Sequence, residues 1–362
     1  MQVIECSGLS EPDILMKRAA VCVLFLCCAS RFSASQQLPD TLLDRLILQG
    51  IDLTLRQKYG EAESFFRGVA KQFPTHPAGY LYQAAVQQTR AIDYVIPLDT
   101  EPFDSLLEIG EKLSERMIDS GTTSAWGYYF LATTNGYDAY ARVERGDWFG
   151  GFRKGLAAAS DFKNCLEIDS NFIDAFAGLG TYYYWRSRKT EFLNWLPFIS
   201  DDRPEGIRLL KECIRRGIYN RFVAASALLN IYLDGGRYED ASQVAQDALR
   251  AYPSNRVFLW GLAESLSRLG KVKETLETYD ILLKSIMADS ISNPYSEILC
   301  HLNIAKIRLR SNDTTGVETH LRTISGFASY AFPEELKTRA ATKFVEAKML
   351  QEALNGRKET AR

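Results

Sequence analysis

Apolar residues along most of this chain return every three or four positions, in stretches of about a dozen or more residues broken by glycine, proline and asparagine. That rhythm predicts helices, each with one apolar stripe. A helix of about a dozen residues is marginal alone, so two must pack as an antiparallel hairpin and hairpins must stack to bury their remaining face. The pattern also recurs at a period of 34. From Phe222 to Asn255 the recurring positions are Leu228, Tyr232, Gly236, Tyr238, Ala241, Ala245, Ala248 and Pro253. The next unit continues in register with Leu259, Leu262, Ala263, Leu266, Gly270, Tyr279 and Leu282. An early copy from Leu43 to His76 carries Leu46, Gly50, Tyr59, Ala62, Phe66 and Pro74.

Looser copies fill the rest. Tyr80 to Met117 reads as an expanded pair interrupted at Asp93 to Pro102, and Trp126, Tyr129, Ala158, Phe162, Cys165 and Asp169 mark a pair whose first helix lengthens before a turn at Gly146. Phe176, Leu179, Gly180 and Tyr183 open a first helix whose partner is Pro204 to Arg216, and Tyr295 to Arg310 pairs with Thr315 to Ile324. The stretch from Pro333 to Leu354 reads as a charged capping helix. Small residues such as Gly180, Ala241, Ala248 and Ala263 let helices approach, while Phe66, Phe162, Leu210 and Tyr279 fill the gaps.

These positions resemble the tetratricopeptide repeat family. The resemblance implies an all-α, right-handed superhelix of six or seven hairpins in which units touch only their neighbours and first helices line a concave groove. Residues 1–35 are then an N-terminal extension with a leader, 36–332 the solenoid and 333–362 the cap and tail. From Gly178 to Leu210 the chain also resembles expanded tetratricopeptide proteins of the mitochondrial outer membrane and inclusion-clearance type. The shared features are an aromatic first helix, the run Trp195-Leu196-Pro197-Phe198, then Asp202-Arg203 and Gly206. Only the architecture is carried over from that likeness.

Lys17 and Arg18 precede an apolar run from Ala19 to Ala29, with Ser33 and Ser35 placed for a cut before Gln36. The run is too short to span a membrane. The expectation is export to a bacterial periplasm or envelope, with translation starting at Met16. Four of the seven cysteines fall in this segment. Cys165, Cys213 and Cys300 remain, odd in number and widely spaced, which supports neither a disulfide framework nor a zinc site.

With 43 Lys and Arg against 45 Asp and Glu, the chain has a formal charge of −2 and lacks the basic excess of a nucleic-acid binder. No GxSxG, HExxH, phosphate loop or EF-hand pattern occurs. His76, His301 and His320 have no metal-ligating partner at helical spacing, and Asp201-Asp202 and Glu334-Glu335 sit where helices begin. No cofactor, metal or catalytic residue is therefore expected, and the chain reads as a non-enzymatic scaffold for a protein or peptide. Ile47 and Ile51 occupy positions where a carboxylate clamp for chaperone C-termini needs polar residues.

The segment from Thr181 to Pro204 is unusual, with Tyr182, Tyr183, Tyr184, Trp185, Phe192, Trp195 and Phe198 in one long connection. These rings are expected to pack against Trp148, Phe149 and Phe152. The alternative is an aromatic platform for a glycan or lipid built on Tyr184, Trp185 and Trp195, or a peripheral contact with an envelope membrane. Register on the first helices puts Tyr184, Trp185, Asn230, Asp234, Trp260, Glu264 and Arg268 on the groove, as the partner-binding candidates. Nothing in the sequence implies an oligomeric state.

Overall fold

A computed structural model describes residues 37–121, 124–191, 200–289 and 293–360. The leader from 1 to 35 and the aromatic run from 192 to 199 lie outside the described residues. Among the described residues there are fifteen helices and no strand. In chain order they are α1 Thr41–Leu55, α2 Tyr59–Gln72, α3 Ala78–Tyr94, α4 Thr100–Ser120, α5 Ser124–Glu144, α6 Trp148–Ile168, α7 Ala175–Lys189 and α8 Arg203–Arg216. There follow α9 Arg221–Asp234, α10 Tyr238–Ala251, α11 Arg256–Arg268, α12 Val272–Met287, α13 Tyr295–Arg310, α14 Val317–Gly326 and α15 Glu334–Thr360.

Consecutive helices pack as seven hairpins, α1–α2 through α13–α14, and α15 covers the last pair. The expected units at residues 43–76, 222–255 and 295–324 coincide with three of these hairpins. Side chains start the helices where they can satisfy otherwise unpaired N–H groups: Asp40 accepts from the amides of Leu42 and Leu43 at 2.9 and 3.0 Å, and Asp147 from that of Gly150 at 2.8 Å. Hairpin turns use a left-handed residue at equivalent places, Gly146, Gly236 and Gly270, with Gln57 and Asn312 in the first and last hairpins. Glycine fits that conformation without a Cβ penalty; Gln57 does not, and its side chain has other work described below.

Helix spacing follows the small residues. A Cβ on Gly178 would lie 2.1 Å from the Phe162 ring, and one on Gly180 would lie 2.7 Å from the carbonyl oxygen of Gly206. The two glycines are thus packing positions, letting α6 and α8 approach α7. Ala241 and Ala263 are fully buried, as are the fillers Phe66 and Leu210. Cys165, Cys213 and Cys300 are buried free thiols, each pushed up by burial.

Two expectations need correction. Trp148, Phe149 and Phe152 do not pack inward: they are 70%, 79% and 59% exposed. The cause is Gly151, which lets α6 lie close against α5: a Cβ there would come within 2.9 Å of the Ala139 carbonyl oxygen. With Gly150 and Gly151 turned inward, the neighbouring aromatics face out. The second correction is topological, because the units do not touch only their neighbours. Helix α1 lies along the turns that precede α9 and α11: the Tyr219 hydroxyl donates to Asp44, the Tyr252 hydroxyl to Asp52 at 3.1 Å, and Asn255 Nδ2 to the Leu55 carbonyl at 2.9 Å. The solenoid closes along one edge.

Candidate functional site

The inner wall can be identified from packing alone. Successive first helices α1, α3, α5, α7, α9 and α11 touch one another, whereas second helices show no comparable contact in succession. First helices therefore occupy the shorter, concave radius. Along α11 this wall meets the closed edge at one end and open space at the other.

At the closed end Arg256 is 2% exposed. Its guanidinium donates to Asp93 at 2.9 Å through Nε and to Asp289 at 2.9 Å through Nη2. The Tyr59 hydroxyl and Gln57 Nε2 also donate to Asp93, at 2.8 and 2.9 Å, while the Arg256 amide donates to Gln57 Oε1 at 3.3 Å. Tyr94 bonds Asp289 at 2.7 Å, and Asn293 Nδ2 bonds the Tyr94 carbonyl at 3.0 Å. Burial alone would lower the Arg256 pKa, yet Asp93 and its neighbours hold it above its ordinary value. Such a pair persists because its polar atoms are matched on nearly every side. Gln57, a non-glycine residue in a left-handed turn, is held there by this network.

Twelve residues on, about 18 Å along the helix axis, the same wall is open. Glu264, Ser267 and Arg268 of α11 face Asn303, Lys306 and Arg310 of α13 across a trough of about 290 Å³ floored by Tyr279. Glu264 and Arg268 form an exposed ion pair at 2.7 Å, and this bond raises the Arg268 pKa. Lys306 pairs with Glu346, and Asn303 Nδ2 donates to the Tyr279 hydroxyl at 3.0 Å. Arg310 has no acidic partner among the described residues. The trough thus carries a net positive charge and several groups whose bonds water can replace.

The other candidates separate from this cluster. Trp260 is half-buried, its ring edge-on to Tyr279 at 6.0 Å, and adjoins the trough. Asn230 is exposed and its amide returns to the Ser226 carbonyl at 3.0 Å. Tyr184 is not a groove residue: it is buried, and its hydroxyl donates to Asp234 at 2.9 Å. Burial and this bond push the Tyr184 pKa up to about 12. Burial works to raise the Asp234 pKa too, but Arg188 and Tyr184 outweigh it and hold the carboxylate below its ordinary range. Trp185 is half-buried against Tyr184, and Trp195 lies outside the described residues.

Residues the sequence reading missed include Asn303, Lys306 and Arg310, which follow one groove register on α13 and could have been counted there. It named His301 and His320 but not their approach: their Nδ1 atoms stand 2.8 Å apart between α13 and α14. No group of three or more His, Cys, Asp or Glu among the described residues is placed to hold a metal ion. None of the described helices is long and apolar enough to cross a membrane.

No protein-family model and no curated protein matches the chain. Among solved structures it is similar to the C-terminal part of a tetratricopeptide-repeat protein from Cytophaga hutchinsonii, at 13% identity over 82% of this chain and 98% of that one, with a TM-score of 0.44. It is also similar to yeast Tom70, at 15% identity over 89% of this chain and 67% of that one, with a TM-score of 0.43.

Proposed function

We propose that the chain is a non-enzymatic tetratricopeptide-type scaffold that holds a protein or peptide segment against its inner wall at α11 and α13. The observation that carries this reading is the open, net-positive trough beside the aromatic pair Trp260 and Tyr279. Arginine and aromatic side chains are the groups that dominate recognition surfaces when a partner desolvates them. An extended segment bearing an acidic side chain suits the trough: its carboxylate would engage Arg268 or Arg310 while an apolar neighbour covers Trp260. The apolar run after Lys17 and Arg18 supports export to the periplasm or envelope with cleavage near Ser35.

Affinity capture with the mature chain tests this. Arg268→Glu and Arg310→Glu should each lose the proteins that the wild type retains, and Trp260→Ala should weaken them. Glu239→Lys on the outer helix α10 should not. Identical capture by all four would refute the groove reading.

A second contact is supported by the ridge of Trp148, Phe149, Phe152 and Leu156, exposed side by side along α6. Aromatic rings of this kind sit well at a membrane–water interface, so we assign the ridge to peripheral envelope association. Sedimentation with anionic vesicles should fall for Trp148→Ser with Phe149→Ser; equal sedimentation would dismiss it. The glycan or lipid platform on Tyr184 and Trp185 has weaker support, since Tyr184 is buried and hydrogen-bonded within the fold.

A further inference from the structure

Two imidazoles meet where α13 packs on α14. His301 and His320 are 19 positions apart in the chain, and their Nδ1 atoms stand 2.8 Å apart. In the neutral pair one Nδ1 carries a hydrogen and the other offers a lone pair, which accounts for the contact as a hydrogen bond. The same spacing has a second use. Two nitrogens bound about 2.0 Å from one ion at a right angle lie about 2.8 Å apart, whereas a tetrahedral ion spreads them to about 3.3 Å. The pair is thus set at the bite of an ion with square-planar or octahedral preference.

The surroundings suit a cation. Glu297, one helical turn before His301, places a carboxylate oxygen 3.7 Å from His301 Nε2. A carboxylate there attracts a proton onto Nε2 and favours the tautomer with Nδ1 free, the way metal-ligating histidines are commonly oriented. Asp280 on α12 adds a second negative charge acting on His320. Arg308 opposes it, but that guanidinium is paired with Asp313 at 2.5 Å. Burial holds both rings below the ordinary imidazole range, His301 at about 4, so both are neutral at pH 7 and able to ligate. His301 is 8% exposed and His320 half-buried, so water reaches the pair from the His320 side.

We propose that His301 and His320 chelate one divalent late transition ion, of the Ni²⁺ or Cu²⁺ type, through their Nδ1 atoms, with water in the remaining positions. The ion replaces the hydrogen bond: the ring that held its proton on Nδ1 carries it on Nε2 instead, and no net proton is released. Two protein ligands make the site exchangeable rather than permanent. The ion clips α13 to α14. The site is independent of the trough, and neither reading needs the other.

Thermal unfolding of the full chain with added Ni²⁺ tests this, because an ion joining two helices stabilises the folded chain, whereas one held by the cysteines of the leader does not. The melting temperature should rise by about 2–4 °C at saturating Ni²⁺ and stay put with Mg²⁺, which takes oxygen ligands. His320→Gln keeps a side chain that can bond His301 Nδ1. Its melting temperature without metal should match that of the wild type, and its Ni²⁺ shift should vanish. Glu297→Gln should keep the shift but need about tenfold more Ni²⁺ to reach it; an unchanged requirement would remove the orienting role of the carboxylate. Absence of a Ni²⁺ shift in the wild type overturns the proposal, and so does a full shift in folded His320→Gln.

Discussion

Helix α11 begins and ends with an arginine, and the two are used in opposite ways. Arg256 is buried, shared between Asp93 and Asp289, and joins hairpins that are far apart in the chain. Arg268 is exposed; among the described residues its ion pair is with Glu264 one turn away on the same helix, and its guanidinium lies over the Tyr238 ring at 5.9 Å. The first must keep its partners, since water cannot replace them; the second can exchange its partner with little penalty. A closed edge and an open wall are therefore built from one residue type on one helix, and burial decides which role each takes.

The largest expected effect breaks the closed side. Arg256→Ala leaves the Asp93 carboxylate buried without its cation and should cost about 3–5 kcal/mol in urea unfolding. Gln57→Gly is an informative companion, because it removes two bonds of the network while relieving the left-handed turn; its loss should be smaller than that of Arg256→Ala. Next in size, Gly180→Val should cost about 1–3 kcal/mol, since its side chain would meet the backbone of α8 rather than a movable group.

Acidification should weaken the fold by a comparable amount. Burial lowers His76 and His301 to about 4, and for His301 the neighbouring His320 adds to the effect. Both imidazoles are neutral in the folded chain, whereas in the unfolded chain they take up a proton below about 6.5. Their stabilising contribution is thus complete above 6.5 and is lost as pH falls towards 4. Between pH 7 and 5 each should cost about 2 kcal/mol, and His301→Asn should reduce the pH dependence by about that amount. The smallest change belongs to the open wall: Arg268→Glu should shift stability by no more than about 0.5 kcal/mol while abolishing partner capture. A large loss of stability there would mean that the trough is structural.

The hairpins were legible because their signals are local. The 34-residue spacing of Gly236 and Gly270, with alanines opposite bulky side chains, fixes helix pairs that lie side by side in sequence. Closure was not legible, since Asp93 and Arg256 are 163 positions apart and a lone charged residue at a helix end looks like any solvated one. The outward turn of Trp148, Phe149 and Phe152 was readable in principle: Gly151 marks the face that packs close against α5. Of the groove candidates, Glu264 and Arg268 sit together because both lie one helical turn apart on a single helix. Tyr184 went astray because its ring reaches across to α9, a contact that helical register does not reveal.

The closed edge is tested most directly by a double-mutant cycle on Asp93 and Arg256. Unfolding free energies of the wild type, Asp93→Ala, Arg256→Ala and the double variant should give a coupling of at least about 2 kcal/mol, with the double variant little worse than either single one. Additivity within about 0.5 kcal/mol would show that the first and later hairpins do not depend on each other, and the closed solenoid would have to be abandoned.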